Sequence, residues 1–389
     1  MSEDKQKASS DLPPHKRGSD ENANPANPQF EIETSREIGG FFSENNFSLL
    51  VTAYKSNLVF SFGATDDARP SAFYSIFAHP MAIALSPRTD CQEVWVASQS
   101  HLVRCVDAGG PYNEGGPSSG GGGDFTTTLV PRSLHAIGNQ DVHGIYPVEQ
   151  NNPYFLSTRY SAMCRLNTER PEVTTDVVWK PDFITELKAE DRCHFNSVCF
   201  IDGKPKYATC MCESDAHDGW RDHRQSGGVI IDMDTNDVVC KNLSMPHNAT
   251  YYRDQLWVLN SGSGELGTVD LETKEFSPKV WLPGFLRGLQ FIGRYAIIGS
   301  SLDRKERRFQ DLELGKRFEQ KKTSAVCGIF IVDLADFGIT HKLELKGNIH
   351  ELYDLAIVPG RRARVIGIND EPSKTWFKVK ASAEETKIQ

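Results

Sequence analysis

The sequence predicts an all-β protein: a six-bladed β-propeller closed by N- and C-terminal strands that share one blade. Three observations carry this. One phrase recurs six times: an aliphatic or aromatic strand, a few small polar residues, a short turn and a second aliphatic strand. Ahead of five copies lies another short strand with its own opening signature. The sixth opening strand sits at the far end of the chain, where only a closed ring without open sheet edges would use it.

Taken in order, residues 1–45 are rich in Ser, Asn, Asp, Pro and Lys and nearly empty of branched aliphatics. Such a segment cannot bury enough surface to offset its ordering entropy, so it is expected to be disordered. Residues 46–380 are read as a single propeller. The first repeat, LLVTAYKSNLVFSF (49–62), has no opening strand of its own. Blade one opens with HPMAIAL (79–85) and continues with VWVASQSHLVRCV (94–106); a glycine-rich stretch, 109–123, then reads as a flexible loop within the domain. Blade two pairs HGIYPV (143–148) with YFLSTRYSAMCRLN (154–167). Blade three pairs FNSVCF (195–200) with YATCMCES…GGVIIDM (207–233), stretched by an insertion at 213–228. Blade four pairs HNATYY (247–252) with LWVLNSGSGELGTVD (256–270). Blade five pairs RGLQFI (287–292) with YAIIGSS…CGIFIVDL (295–334), stretched by an insertion at 302–325 that holds the one expected helical segment. YDLAIV (353–358) supplies the strand that the first repeat lacks, and 381–389 is expected to be a disordered tail. Period-2 strands between Gly, Asn and Asp turns suit this architecture.

Composition narrows the function. The 389 residues hold 43 Lys and Arg against 52 Asp and Glu, a net charge of −9. That sign disfavours a phosphate backbone as the main partner, so nucleic acid is set aside. No apolar run approaches the roughly 18 residues needed to cross a bilayer, and the start has no apolar secretion segment. The expectation is a soluble, cytoplasmic protein with no membrane partner. Nine cysteines, an odd number with Cys105, Cys199, Cys210 and Cys240 inside apolar strands, read as buried free thiols.

In a propeller the first strand of each blade lines the channel, and its start lies on the same face as the loop between the second and third strands. The six opening residues, in register, are His79, His143, Phe195, His247, Arg287 and Tyr353, with His194 and His350 just ahead of theirs. Imidazole is the commonest metal-binding side chain, and His79, His143, His194 and His247 converging on one mouth suit a divalent metal: Zn, Fe(II) or Cu. Arg287 and Tyr353 stand on the far wall as catalytic candidates. Both insertions rise over this mouth, which adds Trp220, Asp218 and Arg221 from the loop 213–228. A ring of rim histidines that binds only water or anions is the plainer reading of the same positions. No G-x-S-x-G elbow, H-E-x-x-H helix or phosphate loop occurs.

The blocks Glu190-Asp-Arg-Cys-His-Phe-Asn196, Gly219-Trp-Arg221 with Ser226-Gly-Gly228, Leu243-Ser-Met-Pro-His247, Leu256-Trp-Val-Leu-Asn-Ser-Gly262, Leu282-Pro-Gly-Phe-Leu-Arg-Gly288, Cys327-Gly328 and Glu351-Leu-Tyr-Asp354 resemble an uncharacterised bacterial propeller family, sometimes fused to tetratricopeptide repeats. The resemblance spans about residue 140 to 368 in order and supports the fold. It brings no established reaction, and its pattern favours His143, His194 and His247 over His79. More loosely, the architecture is similar to peptidylglycine amidating lyase and to lactonase and strictosidine synthase-like propellers, where metal or substrate binds at this mouth.

Two functions follow as expectations. The first is a metalloenzyme of lyase, oxygenase or hydrolase type acting on a small molecule or peptide at the mouth, with Tyr353 as acid or base and Arg287 orienting a carboxylate or stabilising an oxyanion. The second is a non-catalytic binding propeller that recognises a peptide, glycan or protein.

Overall fold

The first repeat finds its missing strand at the other end of the chain. Leu355–Pro359 pairs antiparallel with Phe47–Ala53, followed outward by Leu58–Ala64 and Pro70–Ile76. The six-bladed propeller is therefore closed as the sequence predicts. The structure, a computed structural model, describes residues 29–88, 90–109, 125–149, 151–170, 172–302 and 311–368. The expected glycine-rich loop 109–123, apart from Gly109, and the expected tail 381–389 lie outside these residues, as do 303–310 of the second insertion and 369–380.

Each remaining blade is an antiparallel sheet in chain order from the channel outward. Their inner strands are Pro80–Leu85, Val142–Tyr146, Phe195–Ile201, Pro246–Tyr252 and Phe285–Ile292. Neighbouring inner strands pack against one another all the way round, with Phe285–Ile292 meeting Leu355–Pro359 at the seam. The second and third strands are mostly buried, and Leu58–Ala64 and Gly328–Asp333 entirely so, because both faces meet neighbouring blades. Outer strands such as Glu275–Trp281 hold only exposed and half-buried residues. The nine cysteines are free, and all but Cys91 are buried. No described helix is long and apolar enough to cross a membrane.

The head differs from its expected disorder from residue 29 onward, while residues 1–28 lie outside the described set. Phe30–Thr34 adds a fifth strand to blade five by pairing with Ile339–Gly347. A short helix, α1 (Ile38–Glu44), then buries Ile38, Phe41 and Phe42 against the closing blade and blade five. Composition averaged over 45 residues hides this compact apolar group. Blade one also gains a fifth strand, Ala363–Val365, parallel to Thr127–Ala136.

The seam is tight at Gly63. A Cβ there would stand 2.3 Å from the Arg361 carbonyl oxygen, which also accepts the Ala64 N–H at 2.7 Å. Gly63→Ala must push these backbones apart, so a destabilisation of about 2 kcal/mol is expected from its urea midpoint.

Candidate functional site

Four inner strands begin in the same strained way. His79, Asp141, His194 and Met245 immediately precede the inner strands of blades one to four, with φ of 47°, 53°, 49° and 49°. Left-handed backbone at residues bearing a Cβ is unfavourable by roughly 1–2 kcal/mol each and tends to cluster at functional sites. It also corrects the register. His79 shares its position with His194, whereas His143 and His247 are each the second residue of an inner strand. Just beyond, inner-strand pairing shifts in blades one to five, bulges that re-aim side chains at this end of the channel.

The turn has a chemical consequence. In blades two and four the carbonyl of the left-handed residue faces the imidazole two positions on. Nδ1 of His143 lies 2.7 Å from the Asp141 oxygen, and Nδ1 of His247 lies 2.9 Å from the Met245 oxygen. A carbonyl only accepts, so Nδ1 carries the proton in both rings and, in the neutral imidazole, Nε2 offers its lone pair. Burial lowers the His143 pKa to about 4 and drives that of His247 well below its ordinary value, with Arg287 adding repulsion at His247. Both are neutral at pH 7. His247 Nε2 is buried without a hydrogen-bond partner.

His194 is held differently. Its Nδ1 donates to Asp191 at 2.8 Å, and the same carboxylate oxygen accepts the Trp220 indole N–H at 2.9 Å. Burial would raise the Asp191 pKa, but His194 and the hydrogen bonds outweigh it and keep the carboxylate ionised. The Trp220 ring lies 4.2 Å from the His194 ring, and His194 meets His143 edge-on at 4.7 Å. No hydrogen bond joins Nε2 of any of the three histidines to a described residue.

The far wall is aromatic and cationic. Tyr353 meets His143 edge-on at 5.4 Å, and the Arg287 guanidinium lies 5.1 Å from the Tyr353 ring and 5.0 Å from the Phe285 ring. Burial raises the Tyr353 pKa well above its usual value despite Arg287, so the phenol keeps its proton. Behind it, Tyr54 packs against both Tyr353 and His79 and donates to Glu351, which also pairs with Lys55 at 3.3 Å.

Of the sequence candidates, the structure brings together His143, His194, Tyr353, Arg287 and Trp220, with His247 beside Phe285 at 5.5 Å and within electrostatic reach of the other two histidines. His79 stands on the Tyr54 side of the mouth at 5.0 Å from that ring. His350 lies on the approach to the closing blade, where its carbonyl accepts the Leu302 N–H. Asp218 pairs with Arg221 at 3.2 Å rather than joining the histidines, and Arg221 covers the outer side of Trp220 at 4.6 Å. Among the described residues, no group of three or more His, Cys, Asp or Glu side chains is gathered as a ready metal site. Sequence reasoning missed Asp191, whose place three residues before His194 was the available signal. It also missed Tyr54 and Glu351, which are 297 residues apart and which only ring closure unites.

The described parts of both insertions meet over this end. Trp220, from the 3₁₀ turn Gly219–His223, packs with Met211, Met245, Phe285 and Leu314, the last from helix α2 (Glu313–Lys321). The helix is fixed by the Leu314 N–H on the Gly262 carbonyl at 3.0 Å and by Arg317 on Glu265 at 2.6 Å.

Asp354 gives the site end a pH dependence. Its enclosed carboxyl accepts N–H groups of Ile83 at 3.1 Å and Leu355 at 2.9 Å, yet burial raises its pKa from 3.8 to about 7. With the folded pKa above the unfolded one, the stability it contributes is fully present below pH 4 and is lost as pH rises through 7. Urea unfolding should show wild type losing on the order of 2–4 kcal/mol relative to Asp354→Asn between pH 4 and 8. Parallel pH profiles for the two proteins would remove Asp354 as the cause.

Residues 36–366 match the family described as Domain of unknown function (DUF4915). No curated protein matches the sequence. Among solved structures, a chain of the nidogen/laminin complex is 11% identical, with 80% of this chain and 98% of that one covered at a TM-score of 0.49. A protein of unknown function from Bacteroides caccae is 10% identical, with 80% and 99% covered at 0.48. Virginiamycin B lyase from Staphylococcus aureus is 10% identical, with 82% and 100% covered at 0.36. At such identities and scores none of the three bears on the chemistry of the site.

Proposed function

The chain belongs to the DUF4915 family, and from the geometry of its channel mouth we propose that it is a metal-dependent enzyme, of lyase, oxygenase or hydrolase type, acting there on a small molecule or peptide. The observation that carries this reading is the treatment of three imidazoles from three successive blades. Each has Nδ1 tied down by an acceptor and Nε2 left without a partner among the described residues. Metal-ligating histidines are oriented in this manner by a hydrogen bond at the other ring nitrogen. His143, His194 and His247 would hold the ion, Zn, Fe(II) or Cu, and Asp191 would position His194.

A divalent ion at this place supplies Lewis acidity towards a substrate oxygen or water. The chain's own groups define the rest. Tyr353, which retains its proton, acts as an acid rather than a base. Trp220 and the helix α2 roof limit water around the reacting groups. The free thiols support a reducing, cytoplasmic setting, and the net negative charge supports a partner other than nucleic acid. The aromatic lining of Trp220, Tyr353 and Phe285 favours the second reading, a non-catalytic propeller that recognises a peptide, glycan or protein.

Elemental analysis of protein purified without a histidine tag, followed by titration with zinc, iron(II) and copper, separates the two. The metalloenzyme reading expects about one ion per chain at micromolar concentration or tighter. Protein that carries none and takes up none leaves the binding reading.

A further inference from the structure

We propose that the ligand of this mouth carries a carboxylate, held edge-on by Arg287. The inference deepens the reading of the mouth as a substrate site and rests on it. Arg287 is only 9% exposed, yet its guanidinium makes no hydrogen bond or ion pair with any described residue, and its Nε is a buried donor without an acceptor. Its π-contacts with Phe285 and Tyr353 satisfy part of the charge but use none of its N–H groups. An enclosed cation in this state lacks a counter-charge.

None of the nearby anions bonds to Arg287, and that includes Asp141, whose charge reaches His143 and Tyr353. Asp191 serves His194 and Trp220, Glu351 serves Tyr54 and Lys55, and Asp354 accepts two backbone N–H groups. A carboxylate in direct contact with the guanidinium must therefore come with the ligand. A guanidinium presents parallel N–H groups in one plane, the arrangement that matches the two oxygens of a carboxylate. Charge number selects carboxylate over phosphate. Lys55 is engaged by Glu351, so Arg287 is the one Lys or Arg side chain left over among the residues described at this wall. A monoanion balances it, whereas a phosphate dianion would leave a buried surplus.

The test uses untagged full-length protein in EDTA, with benzoate, benzamide and phenyl phosphate as probes read by ligand-observed NMR. Benzoate should bind with a Kd of about a millimolar, with benzamide at least about tenfold weaker and phenyl phosphate no tighter than benzoate. Arg287→Gln should abolish benzoate binding, and Arg287→Lys should weaken it about tenfold or more because the planar fork is lost. The probe series on the unaltered chain decides the matter even if a variant folds poorly. Equal binding of benzoate and benzamide, unchanged binding by Arg287→Gln, or phenyl phosphate binding tenfold tighter would each overturn the proposal. Because the probes are read without metal, benzoate binding in a protein that takes up no ion sinks only the metal reading. Metal uptake without benzoate selectivity sinks only this inference.

Discussion

A chain that ends at Leu352 should not fold cooperatively. The truncation removes Leu355–Pro359, the channel-side strand of the closing blade, and with it the antiparallel partner of residues 47–51. Leu355, Val358, Val365 and Ile366, each at most 1% exposed, leave the core with it. At about 1.5–3 kcal/mol per buried side chain the loss is roughly 6–12 kcal/mol, as large as the whole stability of an ordinary domain. The strand Phe47–Ala53, buried along its length, would also become an open apolar edge. Circular dichroism and urea unfolding check this, and a truncated chain with a sharp transition near that of the full protein would contradict ring closure.

His247→Ala should lower zinc affinity by about 100-fold or more, and His143→Ala and His194→Ala should do likewise, since each deletes one of three ligands. The second expected effect is smaller and more diagnostic. Asp191→Asn keeps the shape and leaves all three imidazoles in place, but it weakens the hold on His194 Nδ1, so zinc affinity should fall about 10–100-fold. His341→Ala is the control, because His341 lies on the outer strand Ile339–Gly347, packed on Phe41 at 5.1 Å. Equilibrium dialysis gives the affinities, and circular dichroism confirms that each variant is folded. An Asp191→Asn protein with unchanged affinity would remove Asp191 from the site.

The repeat made the ring legible, because a strand phrase repeated six times and completed from the far end suits a closed ring and neither an open sheet nor a sandwich. The head was not legible in the same way. Ile38, Phe41 and Phe42 lie within a seven-residue helix, too short for any period to stand out from polar surroundings. The histidines could be placed near the mouth, but the offset of His79 depends on a left-handed residue at the strand entry, which no pattern of residue types announces. The Asp191 partnership was within local range and could have been found from its spacing. Tyr54 and Glu351 could not, because their contact exists only once the two ends of the chain share a blade.

The most direct measurement is an anomalous difference map at the zinc edge from crystals of untagged protein equilibrated with zinc. The account predicts one peak at the channel mouth, about 2.0–2.1 Å from Nε2 of His143, His194 and His247 alike. A map with no peak within reach of these three nitrogens, or with its zinc elsewhere on the molecule, would contradict it.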